Sequence, residues 1–174
     1  MKLRKMLGDV QSEVCRELMS VMSSQSKHTL AYFAITYAKK NYLSIYQAVQ
    51  PEQASSFDEV FKQCEHYLDG ETSLNACRPL LREVRLLSSK TKGEVARAAA
   101  RALAVACATI QTPTNALGFL FYGAAAKAYE QFGLQASQET YDQSAIKSLE
   151  DALAYLKSIM IENEQNPSQL DWNC

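Results

Sequence analysis

With 174 residues, a formal charge of −1, 47% hydrophobic and 21% charged residues, the chain has the makeup of one ordinary globular domain. Residues 1–90 hold 12 Lys and Arg against 10 Asp and Glu, and residues 91–174 hold 6 against 9; this even spread excludes a basic arm for nucleic acid or an anionic membrane, and an acidic tail. Cys15, Cys64, Cys77, Cys107 and Cys174 are odd in number and form no CxxC pair, which argues for reduced thiols in a cytosol over a disulfide framework.

The leading MKLRKMLGDV lacks the apolar stretch of a signal peptide, so a cytoplasmic location is expected. A first amphipathic helix is predicted over residues 9–23, capped by Asp9, with Val10, Val14, Leu18, Val21 and Met22 at helical spacing. A second runs from Ser26 to Val49. Its aromatics, Tyr32, Phe33, Tyr37, Tyr42 and Tyr46, suit a half-buried seam, where a ring is apolar and a hydroxyl finds a partner. Such a helix could also join two copies of the chain in a homo-oligomer.

Gln50-Pro51 ends that helix, and Ser56-Phe57-Asp58-Glu59 reads as a capping box opening a third helix to Leu68. A fourth lies in TSLNACRPLLREVRLLSS, expected to be regular from about Pro79 to Leu87, because a proline removes one backbone donor and clashes with the preceding turn. Thr91-Lys92-Gly93-Glu94 reads as a second capping box. It would open a fifth helix in which Ala96, Ala100, Ala104 and Ala108 recur every four residues, a face that lets a neighbour approach closely. Val95, Leu103 and Val105 form the opposite strip.

The 25 residues from Ala102 to Ala126 contain no Asp, Glu, Lys or Arg. A membrane hairpin is excluded by length, since a spanning helix needs about 20 apolar residues and the break Thr112-Pro113-Thr114-Asn115 divides this run. It is therefore core. A sixth helix follows over Ala116–Phe132, with Gly118 and Gly123 implying the close approach of a neighbouring backbone or of a partner surface, and Gly133 ending it. Ser137 caps a seventh, with Ala145, Leu149, Ala152, Leu153, Leu156 and Ile159 as its stripe. The tail, residues 163–174, is polar and broken by Pro167; Leu170 and Trp172 are expected to dock it on the helices, or Trp172 to anchor a partner. The expected fold is all-α: one domain, a bundle or stack of six to seven helices around an alanine-rich central pair.

No chemistry stands out. His28 and His66 are isolated, no metal or nucleophile spacing occurs, and no glycine-rich phosphate loop is present, so no catalytic residue, cofactor or metal is assigned. Asp58-Glu59 and Glu150-Asp151 read as a helix start and a solvated face. Cys107, set in the uncharged run, is expected to be inert. Thr112–Asn115 is the most suggestive polar stretch. Thr114 or Asn115 can cap the sixth helix, or hydroxyls, amide and helix start can form a small anion or peptide site.

Three stretches carry a family likeness: QSKHTLAYFAITYAKKNYLSIY near the start, VARAAARALAVACATIQTPTNALGFLFYGAAAKAYEQFG in the centre and NPSQLDWNC at the end. Together they resemble the immunity proteins of bacterial polymorphic-toxin systems, of the type called immunity protein five-like. The best-matched pattern is Thr112, Pro113, Ala116, Gly118, Tyr122 and Ala124–Ala126; where some members carry a histidine in or just after the turn, this chain has Asn115. The resemblance implies a non-catalytic cytoplasmic all-α protein that binds and neutralises a cognate protein toxin. It marks Gln25, Ser26, Lys27, Thr112, Pro113, Thr114, Asn115, Tyr122 and Trp172 as candidate binding or motif residues. The alternative is an enzyme or small-ligand protein with its site near Thr112–Asn115. Neither reading involves nucleic acid or a membrane.

Overall fold

Serines set most of the helix starts. Ser12, Ser26, Ser73 and Ser137 each take an extended conformation, and each side chain accepts the backbone N–H three residues on, from Cys15, Thr29, Ala76 and Thr140; a donor that a helix start leaves unpaired is thereby satisfied. The computed structural model describes residues 3–172 and places among them seven α-helices and no strand. These are α1 (Glu13–Ser23), α2 (Lys27–Val49), α3 (Ala54–Leu68), α4 (Leu74–Lys90), α5 (Glu94–Cys107), α6 (Asn115–Phe132) and α7 (Gln138–Ile159). The all-α, single-domain expectation holds.

Several boundaries differ from the sequence reading, each for a local reason. Asp9 caps nothing: its carboxylate accepts the Gln11 N–H at 2.9 Å in a turn, and Ser12 takes the cap. Ser56 lies inside α3, because Pro51 opens a 3₁₀ turn, Pro51–Gln53, that runs straight into the helix at Ala54. Pro79 sits in the second turn of α4, which starts at Leu74 rather than at the proline. Thr91 closes α4 instead of opening α5: its N–H and hydroxyl both donate to the Leu87 carbonyl, at 3.0 and 2.8 Å. Gly93, with φ +85°, then takes the cap position of α5.

At the centre α5 packs against α2, α4 and α6. Its alanines 96, 98, 99, 100, 102, 104 and 106 are all buried, so the small-residue face continues around most of the helix. Of the opposite strip only Leu103 is fully buried, while Val95 and Val105 are half-exposed. The second helix lies deeper than a seam: Phe33, Tyr37, Tyr42 and Tyr46 are buried, and only Tyr32 of its aromatics is exposed, at 44%. Tyr37, Tyr42, Phe33 and Phe119 form one aromatic cluster with ring centroids 5.8–6.3 Å apart. An aromatic dimer seam on α2 therefore has nothing left to offer but Tyr32.

Gly123 shows what the α6 glycines do. A Cβ there would lie 2.0 Å from Tyr42 Cζ, so the close neighbour is an aromatic ring of α2, not a backbone. At Gly118 the nearest atom would be a Val105 methyl at 3.8 Å, an ordinary contact. Cys15, Cys64, Cys77 and Cys107 are buried and form no disulfide; Cys174 lies outside the described residues.

Candidate functional site

The candidate residues gather in two places. The first is the turn between α5 and α6. Its backbone caps α6 by itself: the N–H groups of Asn115, Ala116 and Leu117 donate to the carbonyls of Thr112, Pro113 and Thr114 at 3.0, 3.0 and 3.2 Å. The Thr114 side chain makes no capping bond, contrary to the sequence reading. The side chains of Thr112 and Asn115 are thus released to line a groove of about 490 Å³ between α4 and α5.

The groove exists because α5 presents alanines there. Ala104 and Ala108, with Val105 and Leu81, make an apolar floor that no side chain among the described residues fills. Along its edge stand Arg78, Arg82 and Arg85, all exposed. These arginines escaped the sequence reading, although their spacing at i, i+4 and i+7 places them on one helix face. Tyr122, the remaining motif residue of α6, is half-buried under the Arg101 guanidinium, 6.0 Å from the ring centroid.

The second place is the start of α2, covered by the tail. Gln25 is 2% exposed; its amide accepts the Ile161 N–H at 2.9 Å and donates to the Ile161 carbonyl at 3.1 Å. Glu164 accepts the Ser26 N–H and the Thr29 hydroxyl, both at 2.8 Å. Burial raises the Glu164 carboxyl, but hydrogen bonds from Ser26 and Thr29, with His28 nearby, hold it below the usual carboxylate range. Further on, the Ser168 N–H donates to the Gln25 carbonyl at 2.8 Å and Trp172 Nε1 to the Ser23 hydroxyl at 3.1 Å. Leu170 and Trp172 pack half-buried against the core. Gln25, Ser26 and Trp172 thus serve one intramolecular contact, while Lys27 is exposed beside it.

A third polar cluster, not foreseen from the sequence, lies between α2, α6 and α7. Lys127 donates to the Asn41 amide oxygen at 3.1 Å and lies over the Tyr37 and Tyr42 rings, 5.8 and 5.6 Å from their centroids. Burial lowers its pKa, against the pull of Asp151. The hydroxyls of Tyr37, Tyr42 and Ser148 are buried without a hydrogen-bond partner. The nearby cleft of about 470 Å³ is lined by Lys127, Lys147 and Asp151. Lys147 and Asp151 already pair at 3.7 Å, and the three hydroxyls are sealed from solvent.

His28 Nε2 lies 3.0 Å from the Leu68 carbonyl and His66 Nδ1 3.8 Å from Glu71, so each histidine has a structural partner. Among the described residues no group of three His, Cys, Asp or Glu side chains could hold a metal ion, and no helix is long and apolar enough to cross a membrane. Burial pushes the Cys107 thiol well above its ordinary range, which suppresses the thiolate needed for reactivity. A family model described as Imm-5 like putative immunity protein matches residues 20–154. No curated protein and no solved structure matches the chain. The match contains α2 to α6 with the groove and the turn, and stops before the tail that covers Gln25.

Proposed function

The chain belongs to the Imm-5 like putative immunity protein family, and from that membership we propose that it binds a cognate bacterial protein toxin in the cytoplasm and neutralises it by forming a complex. The observation that carries the reading is the family match together with an exposed groove in place of a catalytic constellation. The titratable groups with perturbed protonation support a structural role: Lys127 is covered by two tyrosines, Glu164 ties down the tail, and Cys107 is sealed in the core. None lines the groove at Thr112–Asn115. A binder fits these observations better than an enzyme, because general acid or base work needs a titratable group within reach of a bound substrate.

The test is to take a candidate toxin from the genes beside this one and to co-express the two. Cells are expected to survive, and the two proteins to co-purify as a stable complex. Continued lethality with no complex would defeat the reading. The small-ligand alternative is favoured instead if a metabolite screen by thermal shift stabilises the protein and the stabilisation disappears in Thr112→Val.

A further inference from the structure

Charge in this chain is organised by helix, a feature that division into halves conceals. The segment from Leu74 to Cys107, comprising α4, its connection and α5, carries seven Lys and Arg but only Glu83 and Glu94 as acids. That is a local charge of +5 in a chain of −1, so the rest of the molecule carries −6. Within the segment Arg97 is paired with Glu94 at 3.1 Å, and Arg101 lies against Tyr122. Arg78, Arg82 and Arg85 have no carboxylate partner among the described residues; Arg78 donates to the Asn75 amide oxygen at 2.7 Å.

Three guanidiniums on one helix face over seven residues span roughly 10 Å. Like charges at that spacing repel, and negative charge brought to them by a partner relieves the repulsion. Below them lies the apolar floor of Leu81, Ala104, Val105 and Ala108, and beside them the polar groups of Gln111, Thr112 and Asn115. We propose that this groove is the docking site for a short acidic segment of a protein partner, whose carboxylates engage Arg78, Arg82 and Arg85 while an apolar side chain fills the space over Ala104 and Ala108.

The inference deepens the toxin-binding reading and rests on it for the identity of the partner. Two observations favour a protein segment over a nucleic acid. The basic strip is short and the remaining surface is net acidic, so an extended polyanion is attracted at one point and repelled beyond it. The floor is aliphatic, made for a methyl-bearing side chain and without an aromatic ring on which a base could stack. Guanidinium matches carboxylate in a planar, two-pronged geometry, which gives the strip selectivity as well as attraction.

The experiment uses the full chain and two probes. The first is a soluble glutamate-rich peptide with a central leucine, compared with its lysine counterpart and with a single-stranded oligonucleotide by NMR titration. The acidic peptide is expected to shift resonances of Arg78, Arg82, Arg85 and Ala104–Ala108, and its binding to weaken as salt shortens the Debye length from about 10 Å to about 3 Å. The second probe is the neighbouring toxin, measured by calorimetry against R78E/R82E/R85E and against K5E/K40E/K62E, three exposed lysines away from the groove, as a charge-matched control. The arginine reversal is expected to lose about 100-fold or more in affinity, with the control within about threefold of wild type.

Unchanged melting of the reversed protein would show that the loss is one of binding. If that variant melts early, Ala108→Glu, which places a carboxylate in the groove while leaving the arginines intact, takes its place with the same expected loss. Toxin binding that survives both changes overturns the docking site while leaving the toxin-binding reading intact. Failure of wild type to bind the toxin defeats that reading, and the groove is then judged by the peptide: no shift along α4, or tighter binding of the oligonucleotide at the same residues, overturns it.

Discussion

A Cβ at residue 123 would sit 2.0 Å from Tyr42 Cζ, and few contacts in the protein are so intolerant. Gly123→Ala is expected to cost about 2–3 kcal/mol, in the range for overpacking a filled core, as measured by urea unfolding. Adding Tyr42→Leu, which removes the ring, should return part of the loss; a double mutant no better than the single would show that the ring is not the obstacle. Glu164 supplies a pH test. Its folded pKa is depressed, so the stability it contributes is present above the unfolded carboxyl value and is lost as pH falls through the folded one. Glu164→Gln is expected to cost about 1 kcal/mol at neutral pH, a value discounted for the partial exposure of the site, and nothing at strongly acidic pH. Equal costs at both ends of the titration would contradict the assignment. Lys127 behaves in the opposite sense: its folded pKa is lowered, so burying its charged form costs stability at neutral pH, and the cost is relieved as pH rises through the folded value. Wild type should therefore gain on Lys127→Met as the solution becomes alkaline, read from paired melting curves.

Helix starts show what the sequence displayed and what it hid. Ser26 and Ser137 were legible because each stands in a short polar break directly before a periodic apolar run. Ser56 and Thr91 carry the same Ser/Thr-x-x-Glu signature, yet Pro51 had already started α3, and the Thr91 hydroxyl donates back to Leu87. A local pattern cannot report that an earlier residue has taken over its role. Alanine substitutions separate the two cases: Ser12, Ser73 and Ser137 are each expected to cost about 1 kcal/mol, and Ser56 a few tenths, by thermal unfolding. Comparable losses at Ser56 and Ser137 would argue that α3 begins at Ser56 after all. The arginine strip was hidden differently. Its spacing lies open in the sequence, but counting charge by halves cut the basic segment at residue 90. The floor beneath the strip needed α5 brought against α4 before it could be seen.

For the molecule as a whole, the uncharged run Ala102–Ala126 was the most readable feature, but only its helical parts are mostly buried: the turn between them leaves Gln111 and Thr112 exposed and Pro113, Thr114 and Asn115 half-buried, so lack of charge did not place all 25 residues in the core. The turn that interrupts it proved harder to read. It caps α6 through its backbone, so Thr112 and Asn115 are free for the groove, and the family motif coincides with the edge of the candidate docking face. Trp172 and Gln25 belong instead to a contact in which Gln25 lies within the matched region, residues 20–154, and the tail with Trp172 lies beyond it. The central claim, neutralisation by complex formation, is tested most directly by titrating a fixed amount of the purified neighbouring toxin with this protein and following residual toxin activity. A linear fall to zero at equimolar protein, with activity recovered when the complex is dissociated, is the predicted result; loss of activity at far less than equimolar protein, or no loss at all, would contradict it.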